Sequence, residues 1–182
     1  TNTTGVAWTE FSGDSNTSWY HSASTNNNHY AWMFKRAKGF FDVVAYTKNN
    51  ATSRYLNHSL GVVPEFLIMK GRNFTEEWWG FHKDLSTGHG ISFNSGGSSG
   101  TGGGYGDDKL NLTVGSHSAT RIQVGGPVGG NSNYNYGSNN DCIIYMFATL
   151  AGVSKCGNYT GNGSNQTIAC GFSAGAIFVL IK

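Results

Sequence analysis

Apolar and aromatic residues gather in short blocks along this chain, separated by turns of Gly, Asn, Asp and Ser, and no block carries a helical period. The blocks at 6–11, 29–37, 39–47, 64–72, 76–82, 108–114, 142–150 and 176–182 are rich in β-branched and aromatic residues. That composition suits a pleated, half-buried surface, so each block is expected to be a strand. Along 142–149, Ile143, Tyr145, Phe147 and Thr149 alternate with Cys142, Ile144, Met146 and Ala148. The two sets point to opposite faces. Both are apolar, which predicts a central strand covered on both sides. In 29–37, Trp32, Phe34 and Arg36 oppose Ala31, Met33 and Lys35, giving that strand a wetter end. Pro64 opens its block, where a missing N–H does least harm.

The pattern repeats. Met33, Phe34, Gly39, Tyr46 and Thr47 match Met146, Phe147, Gly152, Tyr159 and Thr160 at a constant offset of 113, and after a one-residue gap Phe66 and Lys70 match Phe178 and Lys182. The repeat predicts that 176–182 is a strand, like 64–72. In both copies polar turn residues follow the Tyr-Thr pair, which predicts a hairpin there. The many short strands imply an all-β domain, a β-sandwich or jelly roll. One domain over 1–182 is expected, with related halves at about 18–70 and 131–182 joined by 71–130.

Composition narrows the function. Charged residues are 12% of the 182 and the net charge is +2, against a usual charged share of about 25%. The surface must be polar but nearly uncharged, which argues against nucleic acid and anionic membranes as partners. No apolar run approaches the ~18 residues of a membrane-spanning helix. Thr1 in place of an initiator Met suggests a mature, processed or excised chain without a signal peptide. Nine Asn-x-Ser/Thr sequons occur. They read as glycosylation sites in a eukaryotic secreted protein and as ordinary turn composition otherwise.

Two glycine-rich segments, 95–108 and 125–140, read either as plain surface loops or as binding tips. The second reading makes Tyr105, Asn133, Tyr134, Asn135 and Tyr136 candidate ligand or interface residues, since such loops display Tyr and Asn. Trp78 and Trp79 are adjacent in a block, so one should face inward and the other outward. The outward ring would be a sugar platform or an interface anchor.

Blocks in order then resemble a known family. Trp32 to Thr47, His58 to Glu65, Trp79-Gly80-Phe81-His82, Tyr145 to Lys155 and Tyr159 to Phe172 are similar to the repeat domain of virion structural and tail-fibre proteins from marine bacteriophages. The resemblance spans about 30–172 and departs from the family pattern at 86–141, on the glycine-rich loops. It implies a virion part, without catalytic residues, whose expected partners are other virion proteins and a host-surface polysaccharide. A homo-oligomer, a trimer for preference, is expected. A capsid decoration protein is the alternative.

Little else carries chemistry. Six histidines are scattered without metal-ligand spacing, so no metal and no cofactor is expected; His58 is expected to cap a turn through a ring N–H. Asp107-Asp108 after a glycine loop is a weak Ca²⁺ candidate beside its reading as a solvated turn. Glu76-Glu77 beside the tryptophans would be the carboxylates of a glycan depolymerase, but neighbours in a strand point to opposite faces. Cys142, Cys156 and Cys170 are equally spaced, and each is expected in a strand. They read as buried thiols, with a Cys142–Cys156 or Cys156–Cys170 bridge as the alternative.

Overall fold

The computed structural model describes residues 33–51, 53–75, 78–85, 90–93, 117–125 and 140–182. Among them no helix occurs. The strands are β1 (Phe41–Thr47), β2 (Ser53–Asn57), β3 (Phe66–Gly71), β4 (Trp79–His82), β5 (Ile91–Ser92), β6 (Arg121–Gly125) and β7 (Asp141–Phe147). The protein is all-β. Five strands form an antiparallel sheet in the order β1-β7-β3-β4-β5, and β2 pairs with β6 in a separate antiparallel ribbon.

The interior place of β7 follows from its two apolar faces. Phe147 stands in register with Phe41 on one side and Phe66 on the other, and Ile144 with Val44 and Met69. One face carries Cys142, Ile144, Met146 and Ala148, all buried, and packs with Leu67, Met69, Trp79 and Phe81. The ribbon contributes Leu56, Ile122 and Val124 to the same cluster, and Leu60 joins from the loop after β2. Each fully buried Leu, Ile or Met side chain contributes about 2 kcal/mol by leaving water.

Two histidines fasten the ribbon. His58 accepts the Leu60 N–H at Nδ1 and donates from Nε2 to the Ser118 carbonyl at 3.1 Å. These roles require the neutral ring with its proton on Nε2. Burial lowers its pKa. His117 accepts the Gln123 N–H at Nδ1 and sets its ring edge against Phe81. Burial pushes its pKa down to about 4.

The repeat reappears as geometry in one turn. Ala37 bridges Phe41 and Leu150 bridges Ser154, at the same offset. In each, the residue before the far bridge partner donates to the first carbonyl: Phe40 to Ala37 at 3.1 Å, Val153 to Leu150 at 2.9 Å. Gly39 and Gly152 take the third position with φ of 76° and 74°, where a side chain would be strained. The two turns are neighbours, since Ala148 donates to the Phe40 carbonyl.

Several expectations are corrected. The 176–182 block is not a strand and is largely exposed. Of 29–37, the described part, 33–36, is irregular and only Ala37 forms a bridge. The hairpin after Tyr46-Thr47 does not form, because β1 pairs with β7 and the chain then leaves for the ribbon. Neither Cys156 nor Cys170 lies in a strand, and all three cysteines are free thiols. Strands β2, β5 and β6 were not expected. Their apolar residues are few: beside Leu56 in β2, Ile91 in β5 and Ile122 and Val124 in β6 stands only the exposed Tyr55. Blocks 6–11 and 108–114 lie outside the described residues.

Candidate interaction surface

The sheet face opposite the core is a row of rings. Phe41, Phe147 and Phe66 stand side by side on three neighbouring strands, with centroids 4.9 Å apart for Phe41–Phe147 and 5.9 Å for Phe66–Phe147. Phe93 continues the row 6.3 Å from Phe66, and Tyr145 stacks on Phe41. At the other end Phe34 lies 5.4 Å from Phe41 and 5.5 Å from Phe147, and Phe178 lies 6.0 Å from Phe34. Most of these contacts are tilted or edge-to-face, the arrangement aromatic quadrupoles favour. All four phenylalanines of the repeat, the pairs Phe34/Phe147 and Phe66/Phe178, therefore meet in one cluster.

The backbone makes room for the row. A Cβ on Gly80 would stand 2.6 Å from the Phe93 ring. Beside it, Lys70 is almost wholly buried and sets Nζ 5.8 Å from the Trp78 ring centroid. Lys48, also buried, sets Nζ 3.7 Å over Phe74. A buried ammonium needs such electron-rich or polar neighbours.

A polar rim holds the chain that follows β7. Thr149 Oγ1 donates to Glu65 Oε2 at 2.7 Å and accepts the Cys156 N–H at 3.0 Å. Asn158 donates to one oxygen of Asp84, and Lys83 to the other at 2.8 Å. The Lys83 hydrogen bond holds the Asp84 carboxyl below its ordinary range and raises the Lys83 ammonium. Both are exposed, and such a pair adds little stability. Burial lowers the pKa of His82 and pushes the Cys156 and Cys142 thiols up to about 11. At neutral pH these sulfurs are protonated and poor nucleophiles. The surface is built to pack and stack rings.

Beyond the rim the chain exposes apolar side chains one after another: Ile168, Ile177, Val179, Leu180 and Ile181. Tyr159 is exposed, whereas its repeat counterpart Tyr46 is buried.

The residues expected from sequence divide. Trp79 is core: it pairs with Met69 and Ser92 and is buried. It is therefore not the outward anchor, because the Trp79 face is the one that meets the ribbon. Trp78, half-buried beside Lys70, belongs to the ring face. Tyr105, Asp107, Asp108, Asn133, Tyr134, Asn135 and Tyr136 lie outside the described residues, as do Glu76 and Glu77. The phenylalanine row was missed. Its signal was present, since two of the matched pairs in the repeat are phenylalanines.

The sequence matches the domain of unknown function DUF7483 over residues 2–182. The chain belongs to the DUF7483 family. No curated protein and no solved structure matches this DUF7483 chain.

Proposed function

We propose that this DUF7483 domain is a non-enzymatic structural module of a bacteriophage virion, part of a tail fibre or other appendage that meets host-surface glycan through its loops. The observation that carries the structural reading is the placing of β7. A strand from the second copy of the repeat fills the gap between two strands of the first, as repeated modules do when neighbours complete one another's cores. The ring face and the nearly uncharged surface agree with a part that packs against other proteins and works in salt. The resemblance of Trp32–Thr47 and Tyr159–Phe172 to marine phage virion domains supplies the setting. The five-strand sheet with its covering ribbon is read as one side of a β-sandwich.

Cryo-EM of the purified particle, with antibody against this chain, tests the setting. Label along a fibre or appendage is the expected result. Label spread over the capsid shell would move the chain to the decoration proteins, and its absence from the particle would refute the virion reading. A glycan array with the isolated chain tests host contact. Turnover of a host polysaccharide that Glu76→Gln or Glu77→Gln abolishes would make it an enzyme instead.

A further inference from the structure

We infer that the exposed segment 177–181 pairs as a β-strand with the Met33–Phe34 segment of a second copy of this chain. The inference rests on the repeat and stands independently of the virion reading. In the first copy, Phe66–Lys70 reads FLIMK and is β3, held against β7. In the second, Phe178–Lys182 reads FVLIK, the same strand in composition and spacing. Its partner is named by the same logic. Strand β7 ends in Met146-Phe147, and the counterpart of that pair is Met33-Phe34.

Burial shows how far these equivalent positions differ. Leu67 and Met69 are 0% exposed, and their counterparts Val179 and Ile181 are 64% and 66% exposed. Met146 is 0% exposed and its counterpart Met33 is 72% exposed. The apolar side chains of both halves, Met33 on one and Val179 and Ile181 on the other, are thus exposed where those of β3–β7 are buried. A row of exposed apolar residues in an extended segment is a template for pairing with another chain. The observed register, Phe66 opposite Phe147 and Leu67 opposite Met146, transfers to Phe178 opposite Phe34 and Val179 opposite Met33. The Phe34–Phe178 ring distance of 6.0 Å already repeats the 5.9 Å of Phe66–Phe147, so the side chains suit one another. Within one chain, however, residues 33–36 and 155–182 form no strand. Each copy carries both segments side by side, so two copies can exchange them reciprocally about a two-fold axis or successive copies can join in rows.

Sedimentation velocity of the full 182-residue chain over a wide concentration range is the test. Reversible association that grows with concentration is expected. The double variant Val179→Asp/Ile181→Asp should weaken it by about tenfold or more, with circular dichroism and unfolding midpoint unchanged because both positions are exposed. A second arm fixes the register. Chains with Met33→Cys are mixed with chains with Val179→Cys, both in a Cys156→Ser/Cys170→Ser background, and oxidised in air. A disulfide between the two chains is expected, and Leu180→Cys in place of Val179→Cys should give much less, because its side chain points the other way. A chain that stays monomeric throughout, association indifferent to the Asp pair, or a Met33→Cys/Val179→Cys chain that closes on itself when dilute would overturn the inference.

Discussion

The strand β3 and the segment 178–182 carry almost the same five residues, yet one is the centre of the core and the other is exposed. In β3, Leu67 and Met69 meet Met146 and Ile144 across the ladder and the ribbon covers them. In 178–182 the same kind of residue lies outside any strand. Strand propensity is therefore equal in the two places and does not decide the outcome. What decides it is whether a partner strand is present to pair the backbone and cover the side chains.

The comparison can be broken by mutation. Trp79→Ala should have the largest effect, about 3–5 kcal/mol in urea unfolding, as expected for a buried ring. A change within about 0.5 kcal/mol would put Trp79 on the surface instead. The paired test comes next. Leu67→Ala should cost about 2–5 kcal/mol, whereas Val179→Ala in the dilute chain should stay within about 0.5 kcal/mol. Equal costs would show that 178–182 is packed as β3 is.

Acid separates the two regions in another way. His117, whose pKa burial holds at about 4, belongs to the ribbon side of the core, and 154–182 contains no histidine. A folded pKa of about 4 against 6.5 unfolded means that the unfolded chain binds the proton first. Its contribution is complete above pH 6.5 and is lost as pH falls from there towards 4, up to about 3 kcal/mol in all. Unfolding midpoints measured across that window should fall steeply in the parent and flatten in His117→Gln. An unchanged slope in the variant would take His117 out of the account. The smallest effect concerns the paired turns. Gly39→Ala and Gly152→Ala should each cost about 1 kcal/mol, because both glycines have positive φ. The two should cost alike, since the new methyl group at Gly39 meets Leu150 only in ordinary contact and that of Gly152 meets nothing.

Much of the sheet was legible. The cores of β1, β3, β4 and β7 are runs of aromatic and branched residues, and the apolar alternation of 142–149 placed β7 in the interior. β2 and β6 were not legible because Arg54, Asn57, Arg121 and Gln123 interrupt them, and only Leu56, Ile122 and Val124 reach the core. Their pairing depends on residues 64 to 72 apart and on His58 and His117, contacts that no local pattern announces. The 176–182 block shows the opposite failure, a strand-like sequence without a strand. The side on which Trp79 lies was open in the sequence, since alternation gives two faces without saying which is covered. The ring row needed the register of three strands before its phenylalanines came together.

Hydrogen exchange at two protein concentrations tests the central comparison most directly. In dilute solution the amides of 66–71 should be strongly protected and those of 179–181 should exchange freely; on concentration, 179–181 should gain protection while 66–71 is unchanged. Equal protection of the two segments at both concentrations would contradict the account.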